Sequence, residues 1–342
     1  MGIAGRLLRG LYHTGGLDLI RSAWGDSLTV LAYHRICEHE GDDFCFFKPN
    51  ISASPEMFSK QMQYVSERYN VISLRDLEAF IIGDSELPER PLLITFDDGY
   101  LDNYEIATPI LKAFGFPAVI FIVTSRMEDP RPLWWDLCTY YFHNTKLNEV
   151  SLPLLGKRSL GANKNAACME MIEALKKLPE EEKQAIIQGL PDQLKIDASH
   201  TDIPALFMSW EEVRMLEAHG ILCQPHTVSH PIMTRINSDE VQTQLVVAKK
   251  VIEQQTGYRA SAFAYPNGMP GDYDRNTIQA LKASGYTSAF TLSPGPMMKS
   301  AVKRHPYQIR RVFLSYRDSL EIFAAKCSGL LRIKERQGLI KD

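Results

Sequence analysis

The sequence predicts an α/β protein whose parallel strands close into a seven-stranded (β/α) barrel carrying a helical insertion. Three observations carry that prediction. A short run of residues, apolar on both faces, recurs seven times, as buried parallel strands require. Amphipathic helices with recognisable caps lie between most of these runs. One Lys/Glu-rich stretch, from about residue 133 to 207, breaks the rhythm and reads as an insertion. A length of 342 residues allows one large domain or two ordinary ones. We expect an N-terminal amphipathic helix region over 1–26 and a barrel over 27–330.

The predicted strands are 27–33, 92–96, 118–123, 221–224, 262–265, 288–292 and 309–313. Ser54-Pro55-Glu56 supplies a cap, a proline at the first helical position and an early acid, opening a helix that ends near Tyr69. Ser73 opens a second helix that stops at Gly83, and Ser209 with Glu212 forms a capping box ahead of a third stopped by Gly220. The longest stripe is Val241, Leu245, Ala248 and Ile252, closed by Gly257; Asp274 to Gly285 repeats the arrangement. Within the insertion, 166–178 and 180–190 read as helices.

Composition removes several classes of function. A net charge of −3 gives no basic footprint for nucleic acid. Hydrophobic residues at 45% and charged residues at 23% exclude a disordered chain, and no apolar run approaches the ~20 residues of a membrane span. The six cysteines are scattered without a C-x-x-C pair, which suits free thiols in a reducing compartment. No secretory pattern opens the sequence, so a cytoplasmic location is expected. Leu7, Leu8 and Leu11 with Arg6 and Arg9 make an amphipathic helix: packing on the domain is the first reading, peripheral contact with the inner membrane face the second. Oligomeric state is not legible.

Two strand ends carry the chemistry. The run Leu92-Leu93-Ile94-Thr95-Phe96 ends in Asp97-Asp98-Gly99, placing adjacent carboxylates where parallel barrels build active sites. Alone, this is a solvated turn. The strand at 221–224 is followed by His226-Thr227-Val228-Ser229-His230, two imidazoles spaced to share a metal from one helical turn or a tight loop. Together they offer two imidazoles and one carboxylate to a divalent ion, and one carboxylate to spare as a base. Zinc heads the candidates, with other borderline metals or iron open.

At these residues the chain resembles the polysaccharide deacetylases of the NodB-homology type (carbohydrate esterase family 4). The resemblance covers most of residues 28–313 outside the insertion. It implies a distorted seven-stranded barrel and metal-dependent removal of N-acetyl groups from an amino-sugar glycan. It further implies Asp97 as catalytic base and Asp98, His226 and His230 as metal ligands. The family's Arg-x-x-Pro-Tyr motif meets Phe263-Ala264-Tyr265-Pro266-Asn267 here, so Phe263 leaves the arginine's role empty. Arg311, on the last predicted strand, is the candidate replacement and is also counted among the substrate-binding residues. The backbone N–H of Asn267 is the expected oxyanion donor, and Tyr265 is grouped with it as a substrate-binding residue. The C-terminal acid histidine is also missing. Val30-Leu31-Ala32-Tyr33-His34 resembles the N-terminal segment of circularly permuted members, which makes His34 the expected general acid.

Trp135, in Trp134-Trp135-Asp136, either stacks on a sugar or anchors the insertion. The competing function is a catalytically impaired glycan-binding protein on the same barrel, motivated by Phe263. A metal-free glycosidase is disfavoured, because neighbouring carboxylates on one strand do not face each other across a sugar at about 5 Å or more.

Overall fold

A computed structural model of the chain describes residues 3–22, 26–38, 44–129, 131–161, 164–197 and 203–330. Its barrel strands are β1 (Ser27–Tyr33), β2 (Pro91–Asp98), β3 (Ala118–Ile122), β4 (Ile221–Pro225), β5 (Ala262–Ala264), β6 (Ser288–Pro294) and β7 (Ile309–Phe313). They pair in parallel in the order β5-β6-β7-β1-β2-β3-β4. The ring is therefore hydrogen-bonded everywhere except between β4 and β5. Across that seam the Gln224 side chain accepts the backbone N–H groups of Ser261 and Ala262 at 2.8 and 2.9 Å, occupying donors that a missing ladder would leave bare. All seven predicted strands are present.

Side-chain alternation separates two cores. Leu28, Val30, Leu93, Val119, Phe121, Ala262, Phe290 and Ile309 belong to the cluster that fills the barrel. Leu31, Tyr33, Ile94, Phe96, Ile120 and Ile122 take the opposite parity and pack under the surrounding helices. Register pairs Ala32 with Thr95 and Asp97 with Phe121. Residues at the same parity toward the strand ends, Thr95 and Asp97 among them, therefore face the barrel axis. That parity is what delivers polar groups to the top of an apolar interior.

The helices are α1 (Ile3–His13), α2 (Gly16–Ser22), α3 (Pro55–Arg68), α4 (Leu74–Ile82), α5 (Thr108–Phe114), α6 (Trp134–Asn144), α7 (Lys164–Leu175), α8 (Glu180–Leu194), α9 (Trp210–Leu216), α10 (Ser238–Thr256), α11 (Arg275–Ala283), α12 (Lys299–Arg304) and α13 (Leu320–Cys327). The Ser54 cap and the Ser209 capping box form as the sequence signals, and Ser73 and Asp274, read only as helix starts, close capping boxes as well. α4 inserts Leu74, Leu77 and Phe80 into the barrel cluster. α1 packs against α13, leaving Leu7 exposed.

The insertion departs from a purely helical expectation. Besides α6, α7 and α8 it contains an antiparallel hairpin, Glu149–Leu152 with Gly156–Ser159. α8 also runs past Pro191, whose burial beside Leu190 and Leu194 carries the helix one further turn. All six cysteines are free. Among the described residues no helix is long and apolar enough to cross a membrane.

Candidate active site and metal centre

Backbone bends at three strand ends converge on one point. Consecutive residues of a strand point to opposite faces, so Asp97 and Asp98 could not share a site on a straight β2. Asp98 adopts φ +75° and Gly99 φ +84°, turning the chain at the barrel mouth. A Cβ on Gly99 would lie 2.9 Å from Ile122 Cγ2, so only glycine fits there. After β4, Thr227 and His230 are also left-handed, at φ +69° and +62°. The two histidines are thus brought together by a bent loop and not by a helical turn. Thr227 Oγ1 accepts the His230 N–H at 2.8 Å, and Gln244 of α10 accepts the N–H groups of Val228 and Ser229 at 2.8 and 3.1 Å. A β-branched residue at positive φ is strained, and such strain persists where surrounding bonds over-determine it.

Asp98, His226 and His230 meet with ligand atoms all within 4.8 Å of one another. Asp98 Oδ1 lies 3.6 Å from His226 Nε2 and 3.4 Å from His230 Nε2, and no hydrogen bond occupies it. Ligands about 2.1 Å from one tetrahedral ion sit roughly 3.4 Å apart, so the spacing fits a shared cation. His226 Nδ1 lies 2.8 Å from the Ala264 carbonyl; donating there fixes the tautomer with the Nε2 lone pair toward Asp98. Burial holds both imidazoles below their ordinary range and therefore neutral, as metal ligands must be. Burial, then the neighbouring Asp97, pushes the Asp98 carboxyl well up, a penalty that a bound cation would reverse. The residues fit a divalent ion.

Asp97 is the spare carboxylate. Arg311 reaches it from β7 with a two-pronged grip, Nη1 to Oδ1 and Nη2 to Oδ2, both 2.7 Å. The same guanidinium donates to Thr95 Oγ1 at 3.2 Å and to the Thr291 carbonyl at 3.0 Å, and the side chain is fully buried. Burial alone would raise the Asp97 carboxyl, but Arg311 leads the charges that bring it below its usual range. Arg311 lines no part of the cavity. Its grouping with substrate-binding residues is accordingly corrected: it orients a carboxylate and is sealed from substrate. Phe263 sits on the outer parity of β5, in a cluster with Leu245, Leu281 and Tyr286.

His34 follows β1, the neighbour of β2 in the barrel. Its backbone N–H donates to Ser52 Oγ at 2.9 Å, while ring Nδ1 has no protein partner. Burial pushes it down to about 4, partly offset by the Asp97 charge.

Asp97, Asp98, His34, His226 and His230 all line one cavity of about 440 Å³. Its walls add Asn267 from the loop after β5, and Trp135 and Ile172 from the insertion. Asn267 is held at φ +63° with its side chain donating to Asp272 at 2.6 Å. Trp135 is committed locally: Nε1 donates to Tyr100 Oη at 3.0 Å, and the ring meets His230 edge-to-face at 4.6 Å. Tyr265 is a correction. Its side chain is buried against Tyr273, its hydroxyl donates to the Tyr307 carbonyl at 2.9 Å, and it lines no part of the cavity. Sequence reasoning missed Asn50 and Tyr100 beside Asp98. Tyr100 follows the Asp-Asp-Gly turn directly, but Asn50 carries no motif signal.

A family model described as polysaccharide deacetylase matches residues 84–289. The chain belongs to the polysaccharide deacetylase family. It is an amide hydrolase acting on N-acetyl groups, and the family is metal-dependent. YxkH of Bacillus subtilis (strain 168), named for the same family, is 21% identical over 289 residues, 84% of this chain and 71% of its own length. The poly-β-1,6-N-acetyl-D-glucosamine N-deacetylase of Escherichia coli (strain K12) is 32% identical over 106 residues, 31% of this chain but only 15% of that protein. Among solved structures, the Streptococcus pyogenes deacetylase PplD in complex with acetate aligns with a TM-score of 0.60 at 18% identity, covering 89% of this chain and 99% of that one, a likeness of fold. The barrel expected from the sequence is this fold. Neither His34 nor Arg311 falls within the stretch that the family model matches.

Proposed function

We propose that the protein is a metal-dependent N-deacetylase that removes an N-acyl group, acetyl first, from an amino sugar in a polysaccharide, oligosaccharide or lipid-linked glycan. Asp98, His226 and His230 would hold the ion, and this nitrogen and oxygen donor set favours zinc. One observation carries the reading: an Arg311-clamped carboxylate stands beside a His/His/Asp cluster of metal-ligating type in a single cavity. A divalent ion held there would polarise an amide carbonyl and would lower the pKa of its water from 15.7 toward about 7.

The chain's own residues supply the rest. Asp97, kept ionised and fixed by Arg311, takes a proton from the attacking water. As the carbon becomes tetrahedral, negative charge gathers on the former carbonyl oxygen, where the Asn267 backbone N–H donates. The C–N bond then breaks as His34 protonates the departing amine. A resting His34 is neutral because burial holds it down to about 4, so its acid role draws on the proton that Asp97 has just accepted. The carboxylic acid and the amine are the products; the acid's remaining proton passes to the amine, leaving carboxylate and ammonium, and Asp97 and His34 return to their starting states.

The deciding experiment joins metal analysis of purified protein to an amine-release screen over N-acetylated amino sugars. Asp97→Asn should keep its metal while losing about 10²–10⁴-fold in turnover. Unchanged amine release by that variant would refute the assignment. The non-catalytic alternative rested on Phe263, and the guanidinium of Arg311 on Asp97 removes its motive. A cytoplasmic location is part of the proposal; contact of α1 with the inner membrane face stays its second reading, which the exposed Leu7 supports, beside the packing of α1 on α13.

A further inference from the structure

The insertion does more than roof the cavity. α6 begins with Trp134-Trp135-Asp136, and Asp136 is completely buried. Asp136 Oδ1 accepts the Phe47 backbone N–H at 3.0 Å, and Oδ2 accepts the Tyr100 hydroxyl proton at 2.7 Å. Tyr100 Oη in turn accepts from Trp135 Nε1 at 3.0 Å and from Asn50 Nδ2 at 3.3 Å. Asn50 Nδ2 also reaches Asp98 Oδ2 at 3.4 Å. A continuous chain of side chains therefore runs from the insertion to the oxygen of Asp98 that does not face the histidines.

We propose that the Asp136–Tyr100–Asn50 chain positions Asp98 for metal binding, which makes the insertion part of the metal centre. The inference rests on Asp98 being a metal ligand, as proposed above. Proton bookkeeping gives the chain a direction. An ionised carboxylate accepts only, so the single Tyr100 proton must point to Asp136. Both Tyr100 lone pairs are then left for donors, and Trp135 and Asn50 fill them. Asn50 is thereby obliged to present its NH₂ group, whose second proton goes to Asp98 Oδ2. That leaves Oδ1 unpaired and turned to His226 and His230. Outer partners of this kind orient ligands and typically govern metal affinity by 10–100-fold. The same helix fixes the second imidazole: His230 Nδ1 has no protein partner, and the Trp135 ring packed against it holds its plane.

The competing view is that Asp136 merely docks α6 on the barrel. Tyr100→Phe separates the two, because it removes one oxygen while its ring stays stacked on Phe207 at 4.7 Å. Zn²⁺ affinity is measured by chelator competition on the full-length protein, and site geometry by the visible spectrum with Co²⁺ substituted. Tyr100→Phe and Asp136→Asn should each weaken Zn²⁺ about 10–100-fold and alter the Co²⁺ spectrum. The double variant should be no weaker than the worse single, since one chain is cut once. Wild-type affinity and spectrum in both variants, with only the unfolding midpoint lowered, would overturn the inference. A wild-type protein that binds neither Zn²⁺ nor Co²⁺ would instead overturn the metal-site reading beneath it.

Discussion

Arg311 offers the sharpest test of the site. Replacing it by Met keeps a chain of similar length but removes the guanidinium, and the Asp97 carboxylate is then stranded in a fully buried position. Breaking a buried pair from one side costs about 3–5 kcal/mol, more than a pair between exposed groups returns. The loss has a direction in pH. Asp97 is held low in the folded protein, so its contribution is present at neutral pH and disappears as pH falls through the folded value. Without Arg311, burial acts on the carboxyl largely unopposed and raises it, so the variant should be least impaired in acid and most impaired at neutral pH. Arg311→Lys isolates the geometry. A lysine keeps the positive charge but cannot reproduce two parallel bonds of 2.7 Å. Losing one charged hydrogen bond of about 1.5–3 kcal/mol corresponds to roughly 10–100-fold in kcat/KM. Urea unfolding across pH measures the first effect, and amine release from an N-acetylated amino sugar the second. If Arg311→Lys turns over like wild type, the base needs no fork, and the role given to Arg311 is wrong.

Three further outcomes follow from separate parts of the fold. His34 is depressed to about 4 when folded against an ordinary 6.5, so folding loses stability as pH drops from the upper value toward the lower, by roughly 3 kcal/mol in all; metal-free His34→Gln should lack that part of the slope, and parallel stability-versus-pH curves would contradict it. Gly99→Ala forces a side chain into φ +84° against Ile122 and should destabilise by about 1–3 kcal/mol, read as a lower urea midpoint at unchanged slope; an unshifted midpoint would show that the turn is not constrained. Gln224→Leu strips the acceptor shared by Ser261 and Ala262 at the β4–β5 seam and should remove roughly 2–4 kcal/mol; hydrogen exchange faster at those two amides than elsewhere in the barrel locates the loss, and uniform exchange would refute it.

The barrel was legible because its signals are local. Apolar runs such as Leu92–Phe96 and capping residues such as Ser54 and Ser73 act over a few positions, and each produced its element. The convergence of Asp98, His226 and His230 was also foreseeable, since both segments leave the same ends of parallel strands. What escaped was contact between segments distant in sequence with no motif between them. Asn50 precedes Asp98 by 48 positions, and nothing around it marks a ligand neighbour. The hairpin at 149–159 escaped for a different reason. Its strand Gly156–Ser159 reads Gly-Lys-Arg-Ser and is largely exposed, so no apolar alternation announces it.

Parity explains why an arginine serves Asp97 from position 311 and not from position 263. A guanidinium serves Asp97 only if it projects from the inner face, one pleat or two below the carboxylate. Phe263 pairs with Ala289, and both take the outer parity, packing among Leu245, Leu281 and Tyr286. An arginine side chain pointing out from there would meet apolar helices unless the local backbone turned. On β7, Val312 is level with Leu31, which is an outward residue, so Arg311 is inward and level with Val30. From that height it rises past Thr95, accepted there by Oγ1, to reach Asp97 two residues further up β2. The Thr95 hydroxyl itself donates to the Leu31 carbonyl at 2.6 Å, which leaves its lone pairs for the guanidinium. The requirement on the sequence is therefore an inward position of sufficient reach on any strand, and not one fixed motif. Placing arginine at 263 in an Arg311→Met background tests this directly. Because that position faces outward, Phe263→Arg should fail to restore amine release and should lower stability further. Recovery of activity would show that the β5 backbone can reverse its parity, and the geometric argument for Arg311 would lose its force.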